Sequence, residues 1–232
     1  MNREAVTLRE FPSRDALAES LAGKVASVIT QAIKARGKAL IAVSGGTTPA
    51  LFFRTLSDAD IDWQRVTVTL VDERFVPEDS PRSNAGFAKV NLLQSKASAA
   101  NFVGLYRDAP TVEAAAKRAG KELAKFDLPM DVVVLGMGAD GHTASFFPDA
   151  DTLPLLLAAE NDALVAPVHA ASGGEPRLTL TMPPIANAGF LALHIEGDTK
   201  RKVLAAVLDG EKLPIGAVIE HAQKPIEVFW AP

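Results

Sequence analysis

Two kinds of hydrophobic pattern alternate along the chain. In the first, Leu17, Leu21, Val25, Val28, Ile29, Ala32 and Ile33 recur at helical spacing. Ser13 stands where that helix needs an N-cap, Asp15 falls in its first turn, and Gly37 is placed to stop it. In the second, Ala39-Leu40-Ile41-Ala42-Val43 has no polar position at all, which predicts a parallel strand covered on both faces. Ser44-Gly45-Gly46-Thr47-Thr48-Pro49 follows, and a short helix should run on through Leu56. Val66 to Val71 and Asp131 to Leu135 are further buried strands, the former ending in a loop at Asp72-Glu73-Arg74 and the latter at Gly136. Helices are expected over Ser83 to Leu93, Thr111 to Phe126 and Asp198 to Leu208. Arg177 to Thr181, Phe190 to Ile195 and Ile226 to Trp230 read as strands, with a first strand beginning at Val6.

Strands alternating with helices predict a layered α/β fold with a mainly parallel sheet. No internal repeat, low-complexity tract or linker interrupts the pattern, so residues 1–232 are expected to form one domain.

Composition narrows the chemistry. The chain has no cysteine, which removes disulfides, thiolate nucleophiles, Cys-ligated zinc and iron–sulfur clusters. Its 24 Lys+Arg against 28 Asp+Glu leave a mild net charge of −4, which argues against a nucleic-acid surface while allowing a local basic pocket. Met1 to Arg9 lacks the basic-then-apolar layout of a signal peptide. The longest apolar stretch, Leu153 to Val168, is broken by Glu160, Asn161 and Asp162 and is too short and polar to span a bilayer. A cytoplasmic protein that binds neither membrane nor nucleic acid is the expectation.

Ligands of open α/β sheets collect at the carboxyl ends of strands. Three strands here end in polar loops: Ser44 to Thr48, Asp72 to Arg74, and Gly136-Met137-Gly138-Ala139-Asp140-Gly141-His142. The first suits an anion, because glycines let backbone N–H groups converge, the hydroxyls add donors, and a helix beginning near Pro49 points its positive end there. The loop lacks the Gly-Lys-Ser/Thr of a P-loop, and Ala42 stands where a nucleophile elbow needs glycine. An ordinary tight turn is the competing reading.

In the third loop Gly136, Gly138 and Gly141 match a dinucleotide fingerprint. Asp140 would then set a carboxylate against a pyrophosphate, and His142 to Pro148 leaves little room for the required helix. The glycines hold Asp140 and His142 as a functional pair on the favoured reading, or form a solvated turn on the other. An Asp140/His142 metal site lacks a further nearby ligand. His194, in an apolar strand, reads as a satisfied structural residue, and His169 and His221 have no partner pattern.

Taken together, these segments resemble the 6-phosphogluconolactonase family, which is related to the glucosamine-6-phosphate deaminases. The matching stretches are Ala42 to Pro49, Val71 to Arg74, Ser83-Asn84, Gly136 to Pro148, Pro176 to Thr181 and Gly197 to Lys200, in family order over nearly the whole chain. The end at Phe229-Trp230-Ala231-Pro232 comes earlier than relatives usually end. The resemblance implies a three-layer α/β/α Rossmann-like fold of the glucosamine-6-phosphate deaminase and ribose-5-phosphate isomerase type. It also implies hydrolysis of 6-phosphoglucono-δ-lactone to 6-phosphogluconate in the oxidative pentose phosphate pathway, with no cofactor, no metal and no obligate protein partner.

By position, Ser44, Gly45, Gly46, Thr47, Thr48, Asn84, Arg177 and Lys200 would bind the substrate and its phosphate. His142 would act at the lactone, with Asp140, Asp72 and Arg74 around it. A neutral imidazole suits deprotonation of the attacking water. Arg74 would stabilise the oxyanion, where loss of one donor typically costs about 3 kcal/mol. Whether Asp140 or Asp72 orients His142 stays open. The deaminase relatives carry Glu five residues after the histidine and usually an aromatic residue at the arginine position. This chain has Phe147 and Arg74, which favours the lactonase. A non-catalytic sugar-phosphate sensor should carry a helix-turn-helix segment, for which no room precedes Val6.

Overall fold

The first long helix sits between the residues that punctuate it. In a computed structural model, which describes residues 5–232, helix α1 spans Arg14–Arg36. Ser13 Oγ accepts the Ala16 N–H at 3.2 Å, and Gly37, at φ 78°, donates its N–H to the Ile33 carbonyl. The opening residues of the Met1–Arg9 segment, read as lacking a leader pattern, lie outside the described residues up to position 4.

Seven strands form one sheet in the order β1 (Val6–Glu10), β10 (Ile226–Ala231), β9 (Phe190–Glu196), β6 (Val132–Leu135), β2 (Ala39–Val43), β3 (Val66–Leu70) and β5 (Asn101–Val103). Every pairing in it is parallel. The strands β2 and β6, apolar throughout, lie buried at its centre. Helix α1 packs on α2 (Ala50–Ser57) and against β2, β6 and β10, and α7 (Asp198–Leu208) packs on β9. This is the mainly parallel sheet flanked by helices that the sequence pattern predicts.

The chain runs outward from β2 through β3 to β5 and then returns to lay β6 on the other side of β2. Connections leaving β2 and β6 therefore diverge, and a crevice opens between their carboxyl ends. Val43 pairs with both Leu70 and Val134, so the three strands end nearly level.

Asp72–Arg74 is not a loop but a short strand, β4. It starts a second, antiparallel sheet with β8 (Arg177–Leu180) and β7 (Val165–Val168). The extended run crosses directly between the sheets at Val71, whose N–H donates to Val43 while its carbonyl accepts from Leu180. No turn residue marks that passage, so the pattern of side chains does not announce it. Strand β7 contains Pro167, tolerated because β7 lies at the sheet edge.

Helix α3 (Asn84–Asn91) is capped by Ser83, α4 (Val112–Leu123) by Thr111, and α4 covers β7 and β8. Pro49 stands just before α2 rather than within its first turn. The short helices α5 (Leu153–Leu156), α6 (Met182–Ala186) and α8 (Pro214–His221) are not signalled by periodicity. Among the described residues no helix is long and apolar enough to cross a membrane.

Candidate active site

A cleft of about 370 Å³ lies where β2 and β6 end. Ser44, Gly45, Gly46, Thr47, Thr48, Asp72, Arg74, Asn84, His142, Arg177 and Lys200 all line it. Of the expected catalytic and substrate-binding residues, Asp140 alone is not in the lining, and it contacts His142.

The turn after β6 carries that pair. Gly138 donates its N–H to the His142 carbonyl at 2.9 Å, and Asp140 Oδ1 accepts the His142 N–H at 3.2 Å. The same oxygen lies 2.6 Å from His142 Nδ1, which fixes the proton on Nδ1 and leaves Nε2 with its lone pair. A side chain at Gly138 would not fit, since its Cβ would fall 2.3 Å from Nδ1 and 2.5 Å from Asp140 Oδ1. No helix starts after Gly141, contrary to what a dinucleotide fingerprint would require; the next one is α5.

Asp72 has no hydrogen bond to His142. Its carboxylate accepts Ser145 Oγ at 2.7 Å and Asn84 Nδ2 at 3.2 Å, and lies 3.8 Å from Arg177 Nη1. It thus ties together the histidine turn, α3 and the second sheet. Asn84 also donates to the Asp72 carbonyl at 2.9 Å and fills the space beside Gly45, where a Cβ would fall 2.0 Å from its amide oxygen. Ser44 Oγ is committed as well, donating to Val134 O at 3.1 Å and accepting Gly136 N–H at 2.9 Å. It joins the first loop to the third.

Three cations face the cleft with different degrees of freedom. Arg177 gives Nε and Nη2 to the Gly173 carbonyl, and its guanidinium stands 5.4 Å from the Phe147 ring centre. Arg74 donates from Nη1 to the Arg82 carbonyl, while its buried Nε has no partner among the described residues. Lys200 Nζ reaches Thr48 Oγ1 at 3.5 Å. Burial pushes both Arg177 and Lys200 below their usual values; the carboxylates Asp72 and Glu196, respectively, act the other way.

Three residues in or beside the cleft have contacts that only the fold reveals. Phe147 packs its ring 4.6 Å from that of His142. Glu73, fully buried, accepts N–H groups from Arg74, Asn84 and Ala85 at 2.7 Å and the Ser83 hydroxyl at 3.0 Å. Burial raises its pKa, and those donors oppose the rise. Its place in the Asp72-Glu73-Arg74 triplet marks it as unusual, yet only the fold shows that it clamps the start of α3. The third is His194, which is not the satisfied residue the sequence suggests. It lines the cleft, sits 3.2 Å from Glu196 through Nε2, and leaves Nδ1 buried without a partner among the described residues.

Of the remaining histidines, His169 lies 2.8 Å from Glu113, whose carboxyl that contact helps hold at about 2. His221 donates from Nδ1 to Ala217 O at 2.9 Å. Both contacts are supplied by folding. Among the described residues no group of three or more His, Asp or Glu is arranged to hold a metal ion.

The family model of glucosamine-6-phosphate isomerases/6-phosphogluconolactonase matches residues 12–230. A 6-phosphogluconolactonase of Mesorhizobium japonicum is 56% identical, over 100% of this chain and 98% of its own. Another, from Rhizobium meliloti, is 49% identical over 96% of this chain and 97% of its own. The crystal structure of a 6-phosphogluconolactonase from Shewanella baltica superposes with a TM-score of 0.94 at 40% identity, covering 98% of each chain.

Proposed function

The chain belongs to the glucosamine-6-phosphate isomerase/6-phosphogluconolactonase family, and from that premise we propose that it hydrolyses 6-phospho-D-glucono-1,5-lactone to 6-phospho-D-gluconate, a step of the pentose phosphate pathway. It is an enzyme, a carboxylic ester hydrolase acting on a small sugar-phosphate lactone. We further propose that residues 1–232 form one domain and that the protein acts in the cytoplasm. It needs no cofactor, metal, nucleic acid, membrane or obligate protein partner.

One observation carries the assignment of roles: an imidazole whose Nδ1 is tied to Asp140 shares a cleft with an ammonium free of any ion pair among the described residues. The Ser44–Thr48 loop, at the start of α2, and Lys200 hold the phosphate, where backbone amides and the helix dipole favour negative charge. Arg177, expected on the phosphate with Lys200, is engaged by the Gly173 carbonyl and lies 3.8 Å from Asp72, and with Asn84 it lines the same cleft.

With the phosphate anchored there, the lactone carbonyl comes beside His142. Nε2 takes a proton from water as the water oxygen bonds to the carbonyl carbon. Arg74, whose side chain lines the cleft, faces the oxyanion of the tetrahedral intermediate. Collapse breaks the bond to the ring oxygen, which receives the proton from the imidazolium. The new carboxylic acid then ionises, releasing one proton to solvent.

Asp140 keeps the proton on Nδ1 throughout and stabilises the transient imidazolium. Phe147 cannot transfer a proton, which disfavours the ring-opening chemistry of the deaminase relatives.

The test is acid release from freshly prepared 6-phosphogluconolactone, followed against spontaneous opening, with glucosamine 6-phosphate assayed in parallel. Acceleration of the first and no ammonia from the second is expected. Ammonia release with no lactone acceleration would overturn the reading.

A further inference from the structure

Behind the anion end of the cleft lies a polar cluster that the reaction does not use. Strand β9 ends His194-Ile195-Glu196, so the two polar side chains share one face. His194 Nε2 donates to Glu196 Oε1 at 3.2 Å, and Arg14 Nε, at the start of α1, lies 3.2 Å from Oε2. Each oxygen of the carboxylate is thus held from a different element, with the Glu196 side chain only 13% exposed. At Gly197 the chain turns into α7, and Lys200 falls in its first turn.

Lys200 is half-buried and makes no ion pair among the described residues. Its burial favours loss of the proton, and Glu196 is the charge acting against that loss. Glu196 is itself held ionised, first by the hydrogen bond from His194 and also by Arg14 and Lys200. A carboxylate in direct contact would neutralise the ammonium that a ligand needs. One standing beyond ion-pair distance still lowers its energy, because Coulomb interactions in a partly buried site decline slowly with distance.

We propose that Glu196 is a positioning residue for the anion end of the cleft: clamped by His194 and Arg14, it is the fixed counter-charge behind Lys200 that keeps this ammonium ready for the sugar-phosphate dianion. Glu196 does not touch the substrate and acts through Lys200, so the inference rests on the reading of Lys200 as a phosphate ligand. The titratable groups on the surrounding elements are His194 on β9, Arg14 on α1, and Asp198, Arg201 and Lys202 on α7. Arg201 is engaged by Glu10 of β1.

Calorimetric titration of the full chain with 6-phosphogluconate from pH 7.5 to 10 tests this. A phosphate monoester is dianionic across that range, so an alkaline loss of affinity belongs to the protein. Glu196→Gln should move that loss to lower pH, so that affinity falls below the wild type on the alkaline limb while staying close to it near pH 7.5. Glu196→Asp should restore most of it, and in a Lys200→Met background Glu196→Gln should change nothing further.

A merely structural Glu196 would weaken binding by one factor at every pH and add to Lys200→Met; either result overturns the proposal. If Lys200→Met binds like the wild type, the reading of Lys200 itself fails. If only Lys200→Met weakens binding, the Glu196 inference alone fails. Should Glu196→Gln not fold, Arg14→Gln removes the cation that competes with Lys200 for the Glu196 carboxylate and must move the same limb to higher pH, or the proposal falls.

Discussion

At Gly138 the room for a methyl group is already taken by an imidazole and a carboxylate. Single-residue constraints of this kind decide the chemistry of the cleft. Asp140 holds one nitrogen of His142 at 2.6 Å, and the aim of the other follows from that contact. Asp140→Asn should therefore lower kcat by about 10²–10⁴-fold, the usual worth of a positioned general base, with little change in affinity for 6-phosphogluconate. Steady-state kinetics beside product titration reads both, and an equal loss in both would move Asp140 from orientation to binding. Asp140 and His142 were legible in the sequence because glycines crowd them at a strand end. That Asp140, not Asp72, contacts the imidazole was not legible. Both carboxylates precede or flank functional turns, and their distances to a ring depend on how separate loops meet.

Elements, not isolated residues, hold the loops in register. Glu73 lies on β4, yet it receives the first N–H groups of α3 and the hydroxyl of its cap, Ser83. An isosteric amide in its place would turn one of those acceptors into a donor. Glu73→Gln should thus destabilise the fold by about 1–3 kcal/mol, the cost of leaving a buried donor unpaired. Urea denaturation would show it as a lower midpoint, and an unchanged midpoint would mean that α3 is anchored elsewhere. Long periodic elements such as α1 and apolar runs such as β2 and β6 were readable with their ends, since caps and burial act locally. Strands β4, β5 and β7 were not, because three or four residues carry no period and their pairing comes from partners distant in sequence.

The whole molecule adds a dependence on pH. Glu196 has its pKa lowered in the folded state, chiefly by the hydrogen bond from His194. A carboxylate shifted that way stabilises the fold above its unfolded value of about 4.5, and the contribution disappears as pH falls through the lower, folded value. Wild type should therefore be more stable than Glu196→Gln near pH 7, and the gap should close towards pH 3; thermal unfolding across that range measures it. A gap independent of pH would deny the linkage. By itself the sequence determined the class of fold, the three polar segments at strand ends and the family, because burial pattern, capping and glycine-rich turns are properties of consecutive residues. Tertiary structure alone decided that β2 and β6 lie side by side with diverging connections, that Asp72 braces three segments, and that His194 and Lys200 line one cleft. Those facts depend on strand order and on contacts between side chains far apart in the chain, which no local pattern encodes.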